Sequence, residues 1–283
     1  MKLGIRAHDL GKQSPEDLVT SLKEHHFHHI QLVLNKAVEA NGSDSLISCE
    51  SLVEQMSMLL DQATIEVSML GAYFNPIHSN KEKVQQGIEN FKSHLRQAKK
   101  FKARLVGSET GSYNDDQWTF HEQNESEEAF IEVKRIFGEL LEVAKEEECF
   151  VAIEPAYQHV ISSPKRLKRL LDELNHSQVV ITFDLFNLLH IGNYQAQHQV
   201  IDEMIDLFAD KIRIVHAKDF TIENQRIKQV APGQGLLDYP YLLTKLRKLN
   251  EEPIIIFEGV VGEDIQSSQA YLNHLVHELS LHI

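Results

Sequence analysis

The segment IRIVHAKD, residues 212–219, is a short apolar run that ends in ionisable side chains. Its first half is typical of a buried strand, and its second half places His216, Lys218 and Asp219 close together. Successive side chains of a strand point to opposite faces, so if Ile214 points into the core, His216 and Lys218 do as well. Asp219 then faces the other way, and we expect it to cap or brace the following loop.

This pattern recurs along the chain and predicts the fold. Charged segments with helical periodicity, such as residues 81–100, 126–148 and 196–208, separate the apolar runs. Eight alternating units of this kind predict an α/β fold with a parallel sheet, the (β/α)8 TIM barrel, rather than an open doubly wound sheet, since no GxGxxG follows the first run. The eight candidate strands are LGIRA near Leu3, IQLVL near Ile30, IEVSML near Ile65, ARLVGS near Ala103, FVAIE near Phe150, VVITFD near Val179, IRIVH near Ile212 and PIIIFE near Pro253.

Length and composition limit the class of protein. The chain has 283 residues without a linker or a break in composition, so we expect one barrel domain over residues 1–283. A net charge of −14 would repel a phosphate backbone, which predicts a small-molecule partner and no nucleic acid. No apolar stretch has the length of a signal peptide or a membrane span, so we expect a cytoplasmic protein without a membrane partner. A homo-oligomer is compatible with the composition.

Four of the predicted strands end in potential metal ligands. In a barrel of this class the carboxyl ends of the strands converge on one mouth, where the active site lies. Three carboxylates and one imidazole suit Mn²⁺, Mg²⁺ or Co²⁺, and Zn²⁺ is also compatible. The alternative, isolated polar residues at strand ends, is common for one residue and much less so for four. We therefore expect one divalent ion, preferably Mn²⁺, at Glu154, Asp184, His216 and Glu258.

With these residues in place, the chain resembles the sugar phosphate isomerase/epimerase superfamily. These xylose-isomerase-like TIM barrels include ketose 3-epimerases, hydroxypyruvate isomerase, inosose dehydratase and abasic-site endonucleases. The similarity spans nearly the whole chain, and it implies that the four residues are the metal ligands and that Glu154 and Glu258 are the acid–base pair. The motifs that carry it are IEPAYQH at Ile153, DLFNLL at Asp184, HAKD at His216 and FEG at Phe257, with LGAYFNPIH at Leu70 and GSETGS at Gly107 resembling further segments.

The chemistry of two carboxylates and a metal ion is consistent with this resemblance. Removing a proton next to a carbonyl produces an enediolate, whose negative charge a divalent ion can stabilise. One carboxylate accepts the carbon-bound proton, and the other returns a proton to the opposite face, which inverts the stereocentre. Return to the adjacent carbon gives isomerisation instead. We therefore predict a metal-dependent isomerase or epimerase of a small keto sugar, or of a related polyol or hydroxy-keto compound.

Further residues are candidates for substrate binding. Asn187 occupies a position where several epimerases of the superfamily have His, and Lys218 offers a cation where they often have Arg. Each of the remaining candidates has a structural alternative, such as an exposed loop histidine or a tight turn between two glycines. The candidates are Lys218, Asn187, His159, Glu109, His8 and Tyr73.

Two other functions are weighed against this prediction. A metal phosphodiesterase of the abasic-site endonuclease type would share the barrel, but it needs many His ligands, and Asn187 and the acidic charge argue against it. A non-catalytic barrel that binds a sugar is the other alternative, which the complete ligand set disfavours. The histidines at positions 25, 26, 28 and 29 are interpreted as a solvated helix end, away from the mouth.

Overall fold

A closed barrel of parallel strands forms the centre of the protein. The computed structural model describes residues 1–39 and 45–281. The barrel strands are β1 (Lys2–Arg6), β2 (His29–Leu32), β3 (Glu66–Gly71), β4 (Leu105–Glu109), β5 (Phe150–Glu154), β6 (Val179–Asp184), β7 (Ile212–Ala217) and β10 (Ile254–Phe257). They pair in the order β1-β10-β7-β6-β5-β4-β3-β2. Each coincides with one of the eight predicted runs, so the prediction of a (β/α)8 barrel is confirmed.

Helices cover the outside of this barrel. They are α1 (Pro15–Glu24), α2 (Leu34–Ala37), α3 (Glu50–Gln62), α4 (Lys81–Gln97), α5 (Glu127–Glu146), α6 (Pro164–Leu174), α7 (Leu185–Leu188), α8 (Gln197–Phe208), α9 (Tyr239–Leu246) and α10 (Asp264–Leu281). Helix α5 begins after Ser126, whose side chain accepts a hydrogen bond from the backbone N–H of Ala129. Within the described ranges, no helix combines the length and the apolar character needed to cross a membrane.

The barrel interior is filled by side chains rather than open. Met69, Ala152, Val180, Ile214 and Ile256 form a separate buried cluster inside the strands, while a larger apolar layer lies between strands and helices. Ile214 therefore points inward, as the alternation along β7 predicts. The inner cluster is apolar, with the Thr182 hydroxyl against Met69 Sδ at 3.6 Å, so the ionisable side chains that can carry chemistry lie at the carboxyl ends of the strands.

A β-hairpin follows β7, where the sequence indicated only a loop. Its strands β8 (Asp219–Glu223) and β9 (Arg226–Val230) pair antiparallel, and the turn residues Asn224 and Gln225 have φ of 49° and 59°. Positive φ at both central residues is the geometry of a tight hairpin turn. The turn escaped sequence-based prediction because Asn-Gln is a far weaker signal than Asn-Gly.

Asp219 holds the base of this hairpin. Its Oδ1 accepts hydrogen bonds from the backbone N–H groups of Phe220 and Leu237 at 2.8 and 2.9 Å, and its Oδ2 accepts from Gly233 and Gly235 at 3.0 Å. A Cβ atom at position 235 would lie 2.3 Å from Asp219 Oδ1, so only glycine fits there. The prediction that Asp219 braces the loop is confirmed.

We expect Asp219→Asn to destabilise the fold by about 2–3 kcal/mol, because an amide keeps one of the two acceptor oxygens and places an N–H₂ group against backbone donors. Urea unfolding measures the effect. Asp210→Asn is the matched control, since Asp210 is exposed and makes no hydrogen bond or ion pair with the described residues. Equal stability of the two variants would contradict the bracing role.

Candidate active and metal site

The four strand-end residues meet at the barrel mouth. Glu154 ends β5, Asp184 ends β6, His216 lies in β7, and Glu258 directly follows β10. Their ligand atoms all lie within 4.8 Å of one another. The parallel register brings this about, since Asp184 pairs with His216 and the neighbouring strand ends are level with them. The structure therefore brings together all four residues that the sequence analysis selected, and we call them the mouth cluster.

The ring of His216 is oriented by hydrogen bonds on both sides. Its Nε2 lies 2.7 Å from Gln31 Oε1, while its Nδ1 lies 2.7 Å from Glu258 Oε2 and 3.3 Å from Glu154 Oε1. Because an amide oxygen only accepts, Nε2 must carry the proton that it shares with Gln31. Burial would lower the pKa of His216, but Glu154 and Glu258 outweigh burial and raise it well above the usual value, so Nδ1 also carries a proton and donates it to the carboxylates. Because Gln31 holds the proton on Nε2, Nδ1 is the nitrogen that would exchange its proton for a metal ion.

Gln31 was missed by the sequence analysis, although its signal was present. It is a fully buried amide inside the apolar run of β2. Its Nε2 donates to the hydroxyl of Tyr73 at 2.7 Å, which sets the amide so that Oε1 faces His216. Burial raises the pKa of Tyr73 well above its usual value, and nearby Glu154 adds to this, so the phenol stays protonated. Tyr73 thus lies behind the metal-ligand layer.

Lys218 lies inside the mouth, as the strand alternation predicts. Its Nζ is 2.8 Å from both Asp184 Oδ2 and Glu258 Oε1, and it donates to Asn187 Oδ1 at 3.2 Å. Burial alone would lower the pKa of Lys218, but Asp184 and Glu258 raise it overall, so the ammonium stays charged. Lys218 therefore offsets part of the negative charge of the mouth cluster.

Arg6 is a second cation that the sequence analysis missed. Its Nη1 lies 2.8 Å from Glu258 Oε1, and its Nε and Nη2 donate to Asp9. It ends the first apolar run, so the rule that identified the other strand-end residues could have found it. Burial would raise the pKa of Glu258, but Lys218, His216 and Arg6 outweigh burial and hold it well below the usual range. Glu258 is accordingly ionised.

Glu154 has a different environment from Glu258. Burial raises its pKa above the usual value, and His216 opposes that shift only in part. Its Oε1 accepts a hydrogen bond from Asn187 Nδ2 at 2.7 Å. Asn187 thus bridges Glu154 and Lys218. Two carboxyls whose pKa values are displaced in opposite directions can act as acid and base in one reaction.

The donor set of the mouth cluster fits a single divalent ion. Asp184 Oδ1 accepts from the backbone N–H of Asn187 at 3.0 Å, but the buried Oδ2 receives no well-oriented hydrogen bond, even though Lys218 Nζ lies 2.8 Å away. This buried oxygen already faces one cation, the Lys218 ammonium, and it belongs to the set of four ligand atoms that could face a metal ion. No second group of three or more His, Cys, Asp or Glu side chains with this spacing occurs in the described ranges.

A cavity of about 530 Å³ opens beside the mouth cluster. Glu109, His159 and Asn187 line its inner part. Burial, with Glu154 and Glu258 nearby, raises the pKa of Glu109 well above the usual range, so its carboxyl group is neutral and can donate. His159 is 3% exposed, its Nδ1 has no hydrogen-bond partner, and burial together with Lys218 lowers its pKa to about 4. Both offer polar groups to a bound molecule.

His8 and the histidine tract, which the sequence analysis also considered, do not line this cavity. His8 lies in the short helix that follows β1, outside the cavity lining, and burial together with nearby Arg6 lowers its pKa to about 4. Its Nδ1 is buried without a hydrogen-bond partner. The histidine tract lies between α1 and β2, and His29 Nδ1 is 3.6 Å from Glu66 Oε2 near the amino-terminal end of the barrel. The interpretation of the tract as distant from the mouth is confirmed.

Solved structures with the same architecture superpose on nearly the whole chain. A D-tagatose 3-epimerase-like protein has a TM-score of 0.78 at 17% identity and covers 99% of this chain and 98% of its own. A 3-keto-D-glucoside 4-epimerase from E. coli gives 0.71 at 16%, with 98% and 99% covered. The IOLI protein with a bound zinc atom gives 0.73 at 18%, with 98% and 99% covered. At such identities these likenesses show the fold alone.

Comparison of sequences identifies the family. None of the curated proteins matches the chain. The profile of the xylose isomerase-like TIM barrels, by contrast, matches residues 19–275. This match covers most of the barrel, including β2 to β10 and the whole mouth cluster. The chain therefore belongs to the family of xylose isomerase-like TIM barrels.

Proposed function

We propose that this protein is a metal-dependent isomerase or epimerase of a small keto sugar, or of a related polyol or hydroxy-keto compound. The observation that carries the proposal is the mouth cluster, in which Glu154 and Glu258 share one site with Asp184 and His216, all within 4.8 Å. Structural neighbours that act on sugars, among them an L-ribulose 3-epimerase, support a carbohydrate substrate.

One divalent ion would be held by Glu154, Asp184, His216 Nδ1 and Glu258. Three hard carboxylates with one imidazole favour Mn²⁺, while neighbours crystallised with zinc and with magnesium leave Zn²⁺ and Mg²⁺ as alternatives. When bound, the ion would stabilise negative charge that develops on the oxygens of an enediolate.

The two glutamates would transfer the protons. Glu258 is ionised between Lys218 and Arg6 and would accept the carbon-bound proton. Glu154, whose pKa is raised by burial, would coordinate the ion only loosely, so that it can take up a proton and return it to the other face, with Asn187 fixing its Oε1. In the reverse direction the two roles exchange.

Polar side chains around the cluster would orient the substrate. Lys218 and Asn187 touch the catalytic carboxyls, and Glu109 and His159 line the adjacent cavity, so these four would bind hydroxyl groups. Tyr73 would contribute through Gln31, to which its hydroxyl is bonded. His8 would also contact the substrate, because its buried Nδ1 has no hydrogen-bond partner.

Turnover in heavy water tests the proposal. We expect the manganese-loaded protein to place deuterium on the carbon next to the carbonyl of at least one ketohexose, inosose or hydroxypyruvate, as observed by NMR. A chelator should abolish this exchange. Binding of a sugar without any exchange, at full metal content, would instead favour a non-catalytic sugar-binding barrel.

Duplex DNA with an abasic site distinguishes the phosphodiesterase alternative. A net charge of −14 disfavours that activity, as does the presence, among the residues that the structure describes, of a single candidate metal cluster with one His. In the same preparation we expect no incision at physiological salt. Incision that a chelator abolishes would overturn the assignment to sugar chemistry.

A further inference from the structure

Aromatic side chains form the outer wall of the mouth cavity. Trp118, Tyr157 and His190 line the same cavity as Glu109 and Asn187, which lie next to the mouth cluster. The cavity is therefore polar where the reaction would occur and aromatic farther out. None of these three rings has a part in the proton transfer described above.

The wall is ordered by ring contacts. Tyr157 stacks on His190 with centroids 4.1 Å apart and planes 20° from parallel, and Phe120 stacks on Tyr157 at 5.9 Å and 14°. The backbone N–H of Gly192 donates to His190 Nδ1 at 3.1 Å, which holds that ring in place. Trp118 packs against His159 at 5.0 Å. The rings thus form a preformed surface rather than a set of mobile side chains.

Large apolar side chains at this wall are partly exposed to solvent. Trp118 is 38% exposed, Phe120 44% and Ile191 47%, and all three belong to loops that follow barrel strands at the mouth. Large apolar side chains that are grouped and exposed beside a cavity usually mark a ligand groove. Because this patch is concave and continuous with the catalytic cavity, a part of the substrate suits it better than the surface of a protein partner.

The hairpin after β7 also contributes to the cavity. Gln225, Arg226 and Ile227 at its tip line the same cavity as the aromatic rings. Arg226 is exposed, and its side chain forms no ion pair or hydrogen bond with the described residues. The part of the cavity lined by the aromatic rings and the hairpin tip, which we call the outer slot, thus combines aromatic faces with hydrogen-bond donors. The whole cavity, at about 530 Å³, is larger than one six-membered sugar ring needs.

We propose that the substrate carries a second ring, linked to the reacting keto sugar, and that this ring stacks in the outer slot on Trp118 and His190. The inference rests on the proposed function, which identifies the keto sugar as the end of the substrate that reacts. The polar inner part takes the keto-polyol, and the aromatic wall takes the flat apolar face of a glycosyl or aryl ring. Trp118, Tyr157 and His190 would then determine specificity without entering the chemistry.

Trp118 is the single tryptophan of the chain, so intrinsic fluorescence reports on this subsite directly. We propose titrating the manganese-loaded protein with two matched pairs of probes, D-fructose against isomaltulose and methyl against phenyl β-D-glucoside. The two-ring member of at least one pair should bind at least tenfold more tightly and alter Trp118 emission. Tighter binding of isomaltulose would indicate that the second ring is a sugar, and tighter binding of phenyl glucoside would indicate that it is aromatic.

Substitutions test whether the tighter binding of the two-ring probes depends on the aromatic wall. In calorimetry, Trp118→Ala and His190→Ala should each reduce the advantage of the two-ring probe to less than threefold, with one-ring binding unchanged. Ile131→Ala is the control, because Ile131 is an exposed apolar residue on α5 that does not line the cavity. Equal affinity within both pairs, or an advantage that survives both variants, overturns the second-ring subsite. Two-ring binding without deuterium exchange on any ketose would refute the proposed catalysis and leave the subsite intact.

Discussion

Replacing Glu154 or Glu258 with Gln is expected to lower the turnover of the preferred ketose by about 10²–10⁴-fold or more, since general acid–base catalysis contributes that much. Glutamine keeps the shape of the side chain and removes its ability to exchange a proton. Glu154→Gln keeps the base Glu258, so it should still exchange deuterium into the substrate on one face while forming very little product. Glu258→Gln lacks that base and should exchange no deuterium into the substrate. Heavy-water NMR on each variant, with metal content measured in parallel, separates the two roles.

Glu263→Gln provides the control for these variants. Glu263 is an exposed glutamate in the loop that follows Glu258, and it forms no ion pair or hydrogen bond with the described residues. Its removal should leave turnover unchanged. If Glu154→Gln and Glu258→Gln both retain normal turnover with full metal content, the two-glutamate mechanism is wrong, and His159 and Lys218 become the candidate bases.

The second large effect concerns the metal ion. We expect about one divalent ion per chain, because four ligand atoms lie within 4.8 Å of one another and the ion pairs with Lys218 and Arg6 leave Glu154 without a lysine or arginine partner of its own. His216→Ala and Asp184→Asn each remove a ligand and should weaken Mn²⁺ binding by more than 100-fold. Gln31→Leu, which removes the acceptor of His216 Nε2 together with the hydrogen bond to Tyr73, should weaken it by about 10–100-fold.

Calorimetric titration of the chelated protein with Mn²⁺ measures these affinities. His159→Ala is the matched control, because His159 is a buried histidine at the same mouth that is not among the four ligand residues. Its metal affinity should stay within threefold of the unchanged protein. Full-affinity binding by His216→Ala and Asp184→Asn, or a chain that binds no divalent ion, would disprove the ligand assignment.

The sequence by itself determined the barrel and the location of its mouth. Apolar runs separated by helical segments indicate parallel strands because both periods are local properties of the chain. The ends of the apolar runs placed Glu154, Asp184, His216 and Glu258 at equivalent strand ends. The alternation of side chains along β7 placed Lys218 on the same face as His216. These residues could be placed from the position of each strand's carboxyl end and from the rule that side chains two positions apart share a face. No long-range contact had to be known.

Only the tertiary structure decided which side chains surround those residues. Gln31 is 185 positions from His216 and contacts it because β2 and β7 lie around the same barrel mouth, which no local pattern encodes. The hairpin after β7 depends on four backbone hydrogen bonds to Asp219, and its turn residues carry little signal of their own. Likewise the stack of Phe120, Tyr157 and His190 joins three separate loops. Contacts between distant segments arise only when the barrel closes, because closure determines which loops become neighbours.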